Sequence, residues 1–191
     1  MLSKLHLWTI EDYHRMIDAE LLTGEDKVEL LEGLIIKTSP QQPLQASTIQ
    51  RVCDYIWELL RNKADIRVRA PVTLPPNSEP EPDIAVVRIN NERYFTTHPT
   101  PNDIYWLVEV ADQSLDKDCE IKARVYANAS IQEYWVVDAK CQQVYVFRKP
   151  IKDKYAQQIT LDKNAKLCLL AFPNVEIEVK RLFANFQISS P

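Results

Sequence analysis

The sequence carries no surplus of positive charge. Its 191 residues hold 27 acids against 23 bases, a formal net charge of −4. A protein that grips nucleic acid by charge alone shows a strongly basic footprint, so that class is excluded. An enzyme whose bound metal supplies the local positive charge is not. The four cysteines, Cys53, Cys119, Cys141 and Cys168, form no CxxC pair and have no histidine at zinc-ligand spacing. They read as reduced core or surface thiols of a cytoplasmic protein. The three histidines, His6, His14 and His98, are scattered and are not expected to be ligands. No apolar run is long enough to cross a membrane, and no signal peptide is expected. No internal repeat, low-complexity tract or linker divides the chain, whose length fits one domain over residues 1–191. Glycine is scarce, with Gly24 and Gly33 the only two.

What is present centres on Ile104 to Lys122, IYWLVEVADQSLDKDCEIK. Tyr105, Trp106, Leu107, Val108 and Val110 make a near-continuous apolar run, expected of a strand covered on both faces. Glu109 interrupts it. An ionised carboxylate there loses water on both sides and is tolerated only if a metal or a cation meets it.

The rest of the chain supplies elements around this strand. Trp8 to Leu22 has helical spacing, with Ile10, Tyr13, Ile17 and Leu21 on one stripe, Thr9 as N-cap and Gly24 as stop. Val28–Leu31 and Leu34–Thr38 read as a hairpin turning at Glu32-Gly33. Leu44 to Arg61 is a long amphipathic helix. Asp65 to Leu74 alternates as a half-buried strand, and a proline-rich connector leads to a buried strand over residues 84–87 with Asp83 at its entry. Residues 90–101 form a loop. A helix over about Asp116 to Ala129 follows the central strand. Ile131–Asp138 and Gln142–Arg148 form a further hairpin. Tyr155–Leu161, Leu167–Leu170 and Val175–Val179 are short strands, and Arg181–Phe186 is a closing helical turn. The order predicts an α/β or α+β domain, a mixed central sheet flanked by helices with extra β-hairpins. Trp57, Trp106, Tyr134 and Trp135 are read as core aromatics.

If the strands holding Asp83 and Glu109 are neighbours, roughly 4.8 Å apart, the two carboxylates can converge on one hard cation. Mg²⁺ takes one or two carboxylates and keeps other positions for water and phosphate oxygen. The backbone carbonyl of Val110 could complete the set. Lys122 reaches the same site if its helix face looks back at the strand ends. There it could orient or deprotonate a water, or neutralise charge in a transition state. Asp118 shares that face and is expected to pair with Lys122 or to cap the helix.

EPDIAVV, followed by LVEVADQSLDKDCEIKARVYANASIQEYWVVD, resembles the bacterial putative restriction endonuclease family, long filed as a domain of unknown function, in the PD-(D/E)XK nuclease superfamily. The ordered PD, strand-EV, D-x-x-x-K and YW-x-VD motifs carry the resemblance, which covers most of the chain. It implies a restriction-endonuclease-like sheet and hydrolysis of DNA phosphodiesters using Mg²⁺, with Mn²⁺ as a substitute. Asp83 and Glu109 would be metal ligands and Asp83, Glu109 and Lys122 the catalytic set. Cutting both strands of a duplex would suit a homodimer. Three positions depart from the pattern. The superfamily lysine stands two residues after the acid, where this chain has Ala111; in the family it moves to the following helix, here Lys122. A histidine is usual where this chain has Gln45. Ser130 stands where glycine is frequent. The bland alternatives are a turn aspartate at 83, an ion pair of Glu109 with Arg67 or Arg69, and a solvated Lys122. Glu29 is a secondary site candidate or a surface hairpin residue. A catalytically impaired nuclease-fold module that binds DNA or a protein partner is the alternative function.

Overall fold

The computed structural model describes residues 5–184. Helix α1 (Ile10–Asp18) opens with a capping box between Thr9 and Asp12. It ends short of the expected Leu22, because Glu20 takes a φ of 55° and turns the chain away. Gly24 is therefore not its stop, and Leu21 is exposed rather than on the buried stripe. Strands β1 (Val28–Leu31) and β2 (Leu34–Lys37) pair Leu31 with Leu34. Glu32 and Gly33 both have positive φ, the two-residue turn whose twist suits a hairpin. Gly33 is needed twice over. Its φ is +80°, and a Cβ there would lie 2.7 Å from that of Leu7 and 3.1 Å from the Trp8 carbonyl oxygen.

Helix α2 (Pro43–Leu60) begins on a proline and buries Ile49, Val52, Ile56 and Leu60. Trp57 steps off that stripe and is 53% exposed, with the Arg61 guanidinium over its ring, so it is not a core aromatic. Strand β3 (Asp65–Val68) is less than half the predicted length. Arg69 adopts a φ of 47° and Pro71 offers no N–H, so pairing stops. Then come β4 (Ile84–Val87), β5 (Ile104–Ala111), a π-helical turn over Lys117–Lys122, α3 (Ala123–Asn128), β6 (Glu133–Asp138), β7 (Gln143–Ile151) and β8 (Lys154–Leu161). The predicted helix of 116–129 is present as one continuous helical run over residues 115–128, with a π-helical segment at Lys117–Lys122 inside it. Ser130, at φ 61°, occupies the left-handed position just past its end, which explains a preference for glycine there. Strands β9 (Lys166–Cys168) and β10 (Glu176–Glu178) form a separate antiparallel pair. The closing helical turn lies at Val179–Leu182, earlier than predicted; residues 185 and 186 of that prediction fall outside the described residues.

The main sheet has six strands in the order β3-β4-β5-β6-β7-β8. Only β5 and β6 run parallel, joined by the crossover through α3. Side chains alternate across it. Trp106, Val108 and Val110 of β5 pack with Ile49, Val52 and Ile56 of α2. Leu107 and Ala111 face the other way, onto Val125 and Tyr126 of α3. Both faces are covered, which is why β4 and β6 are buried throughout, β4 as an unbroken apolar run and β6 as an apolar run between Glu133 and Asp138. Period-two alternation puts Glu109 on the α3 face. With two glycines in the chain, eleven other residues take positive φ among the described residues, among them Lys27, Arg69 and Ser130. No described helix is long and apolar enough to cross a membrane.

Candidate active site

Strand β4 meets β5 antiparallel with Ile84 opposite Val108. Extending that register by one residue sets Asp83 opposite Glu109, with both side chains on the α3 face. Pro82 provides no N–H at this end of β4, and the Asp83 carboxylate replaces the missing ladder: its Oδ2 accepts the Val110 amide at 2.9 Å. The π turn then brings Lys122 back over the sheet. Its Nζ donates to Glu109 Oε1 at 2.7 Å and lies 3.2 Å from Glu29 Oε2. So Asp83, Glu109 and Lys122 are together, drawn from β4, β5 and the crossover. The partner that Glu109 required is a lysine, not an arginine. Arg67 instead stacks on Tyr94, and Arg69 makes a 3.9 Å contact with Asp83 Oδ1.

Other residues complete the group. Glu29 is not a surface residue: it is 1% exposed, and Lys117 Nζ donates to its Oε1 at 2.7 Å. Tyr126, one helical turn beyond Lys122, donates its hydroxyl to Glu109 Oε1 at 2.8 Å. Sequence spacing could have found it, since positions i and i+4 share a helix face. Asp118 accepts from the Ser114 hydroxyl instead of pairing with Lys122. The Val110 carbonyl accepts Gln45 Nε2 at 2.9 Å, leaving one lone pair. Ala111 is buried among apolar side chains beside Ala123 and Leu107. All these groups except Tyr126, Ala111 and Val110 line a pocket of about 510 Å³ that also takes in Arg69, Glu81 and residues 37–42.

Burial dominates the electrostatics. It pushes the Glu109 carboxyl up to about 8; Lys122 opposes this, and Asp83, Asp118 and Glu29 add to it. Burial likewise takes Asp118 up to about 6, against Lys122 and the Ser114 hydroxyl. Asp83 is raised by burial although the Val110 amide and Lys122 pull it down. Burial alone would lower Lys122, but Glu109, Glu29 and Asp118 hold it above its ordinary value. Glu29 ends below its ordinary value because Lys122 and Lys117 outweigh its burial. Four buried carboxylates, Glu29, Asp83, Glu109 and Asp118, thus gather at one place, and only Glu29 and Glu109 pair directly with a lysine.

That excess is the test of fit for a cation. The donors are all oxygen, which suits Mg²⁺ or Mn²⁺, and Mg²⁺ asks for one or two carboxylates. Among the described residues no three His, Cys, Asp or Glu side chains are arranged to hold a metal ion by themselves. Two neighbouring carboxylates with water filling the rest fit the smaller demand. Glu133, on β6, shows the contrasting case. Its carboxylate is buried too, but the Arg148 guanidinium, Trp135 Nε1 and the Leu170 amide saturate it. That is a closed structural ion pair. Glu109 sits beside other acids at an open pocket.

No curated protein matches the chain. A solved structure described as a putative nuclease belonging to DUF820, from Anabaena variabilis ATCC 29413, is similar at a TM-score of 0.66 and 18% identity. The likeness covers 91% of this chain and 96% of that one, and at such identity it speaks for the fold alone. The Uma2 family model, described as a putative restriction endonuclease, matches residues 10–180. With that span matched, the chain belongs to the Uma2 family of putative restriction endonucleases.

Proposed function

We propose that residues 1–191 form one nuclease domain of the PD-(D/E)XK kind, a divalent-metal-dependent endonuclease that hydrolyses DNA phosphodiester bonds in the cytoplasm. One observation carries this reading. Asp83 and Glu109 lie side by side at the ends of neighbouring strands, with the Lys122 ammonium 2.7 Å from Glu109, on an open pocket. Mg²⁺, or Mn²⁺ in its place, would be held by Asp83 and Glu109 with the Val110 carbonyl. When bound it would polarise the phosphoryl oxygen and acidify the attacking water.

The chain's own groups then have definable tasks. Lys122 is too firmly protonated to act as a base. Of its three N–H donors, Glu109 and Glu29 take two, and the third is left for a phosphate oxygen in the pocket. It therefore neutralises charge as the water oxygen bonds to phosphorus and the bond to the leaving sugar oxygen breaks. Tyr126 and Lys122 both hold Glu109 Oε1, which orients Oε2 away from them. Ala111, at the position of the superfamily lysine, is packed among apolar side chains, and Lys122 supplies the ammonium to Glu109 from the crossover instead. Two copies in a homodimer would cut both strands of a duplex.

Cleavage of plasmid and single-stranded DNA with Mg²⁺ or Mn²⁺ tests the reading. Wild type should cut and Asp83→Ala should not; equal activity in both would reject the assignment. A second reading, a nuclease-fold module that binds DNA or a protein without cutting, draws on Gln45. Its amide occupies one lone pair of the very carbonyl a metal would use. Calorimetry with Mn²⁺ separates the two, because an impaired site shows no binding that depends on Glu109.

A further inference from the structure

Next to the cleavage pocket lies another of about 590 Å³. Its walls are α1, residues 22–28 and the strap of residues 38–41 that joins β2 to α2. The two pockets share that strap together with Arg69 and Glu81, so they adjoin. The second pocket offers apolar surface from Tyr13, Ile17 and Leu22, and hydrogen-bonding groups from Thr23, Thr38 and Gln41. Ile17 is 44% exposed, apolar surface left open to water at the pocket wall. Lys27 lies within it, and Arg69 stands between the two pockets.

Arg69 is placed by backbone. Its amide donates to the Asp83 carbonyl at 3.1 Å, one step beyond β3, and its φ of 47° ends the strand there. Its only ion pair among the described residues is the 3.9 Å contact with Asp83 Oδ1. That is too long for a hydrogen bond, so the planar fork of donors is uncommitted. Such a fork matches phosphate oxygens two at a time.

We propose that this second pocket is a nucleotide subsite. It holds the nucleoside adjoining the scissile phosphodiester of a single strand, with Arg69 on the phosphate between the two pockets. The proposal rests on the nuclease reading above. A base inside a duplex is stacked and paired and cannot turn into a side pocket without being unstacked, whereas a single strand presents its bases freely. Contacts to a base also compensate for the chain's lack of basic surplus, since stacking and pocket contacts contribute where net charge does not.

The test is fluorescence anisotropy of the full chain with a short 5′-labelled oligothymidylate, over a salt series, in EDTA and in Mg²⁺. Arg69→Ala should flatten the slope of log affinity against log salt by about 0.7, the share of one phosphate on a single strand. Arg69→Lys keeps the charge and should keep the slope. Gly24 lines the pocket, and a Cβ added there meets nothing within 4 Å. Gly24→Phe should therefore fold, place a ring in the pocket and weaken binding about tenfold, the loss expected for one displaced base. A neutral methylphosphonate at the linkage next to the cut should remove the effect of Arg69→Ala. Metal-dependent cleavage with both variants binding like wild type would overturn the subsite and leave the nuclease reading standing. Weaker binding by both variants, with no cleavage under any condition, would keep a single-strand binding site in this pocket but overturn the nuclease reading and with it the place beside a scissile phosphodiester. A wild type that binds no single strand would overturn the subsite outright.

Discussion

Replacing Lys122 by methionine keeps all but the last atom of the unbranched side chain and removes its charge. The ammonium serves two carboxylates, Glu109 at 2.7 Å and Glu29 at 3.2 Å, both almost wholly buried. Removing one partner of a buried pair leaves an uncompensated charge and costs about 3–5 kcal/mol. That is a large share of the roughly 5–15 kcal/mol that holds a domain together. An exposed bridge in the same molecule gives the scale for comparison. Arg124 meets Glu32 at 2.6 Å with both side chains substantially in water, and such pairs contribute about 0–1 kcal/mol. Urea unfolding followed by circular dichroism, in EDTA, should give Lys122→Met a loss several times that of Arg124→Ala. Without Lys122 the Glu109 carboxyl, already raised to about 8, has to fold protonated; Glu109→Gln removes that cost, so the double variant should recover part of the loss, a coupling of about 0.5–3 kcal/mol. Equal losses for Lys122→Met and Arg124→Ala, or strictly additive single variants, would refute the buried-pair account.

Three further outcomes follow from particular contacts. The Asp118 carboxyl stands at about 6 in the folded chain against an ordinary 3.8. A raised acid contributes stability that is complete below 3.8 and lost as pH climbs through about 6, so Asp118→Asn should gain on wild type across that window, by up to about 3 kcal/mol in metal-free urea titrations. Gly33→Ala combines positive φ with a 2.7 Å clash against Leu7 and should lower stability by at least about 1–2 kcal/mol in thermal melts. Tyr126→Phe deletes the hydroxyl that fixes Glu109, and calorimetry should show Mn²⁺ affinity reduced about 10–100-fold with the fold intact.

Much of this architecture is legible in the residues. Strands β4, β5 and β6 are covered on both faces, so they read as apolar runs, and the acid inside β5 stands out. The crossover between β5 and β6 dictates that whatever follows the strand returns over its face, which is why Lys122 could be placed near Glu109. Arrangements across distant segments were not legible. Glu29 reads as a secondary site candidate or a surface hairpin residue, and only the fold of that hairpin against the crossover buries it beside Lys117 and Lys122. Glu133 sits in an apolar run as Glu109 does, yet its partner Arg148 is supplied by the next strand. Boundaries failed where the backbone left the ordinary regions. Scarce glycine signals few left-handed turns, but Glu20 and Arg69 take that conformation and cut short α1 and β3. Trp57 failed because an aromatic on an amphipathic helix one step off the buried stripe looks like its neighbours in composition alone.

The most direct measurement is anomalous diffraction from a crystal soaked in Mn²⁺. Asp83, Glu109 and Lys122 meeting at one cation pocket predicts a peak within bonding distance of carboxylate oxygens from both residue 83 and residue 109, with the amine of residue 122 beside them. A peak at another place, or no peak with both carboxylates ordered and Mn²⁺ in excess, would contradict it.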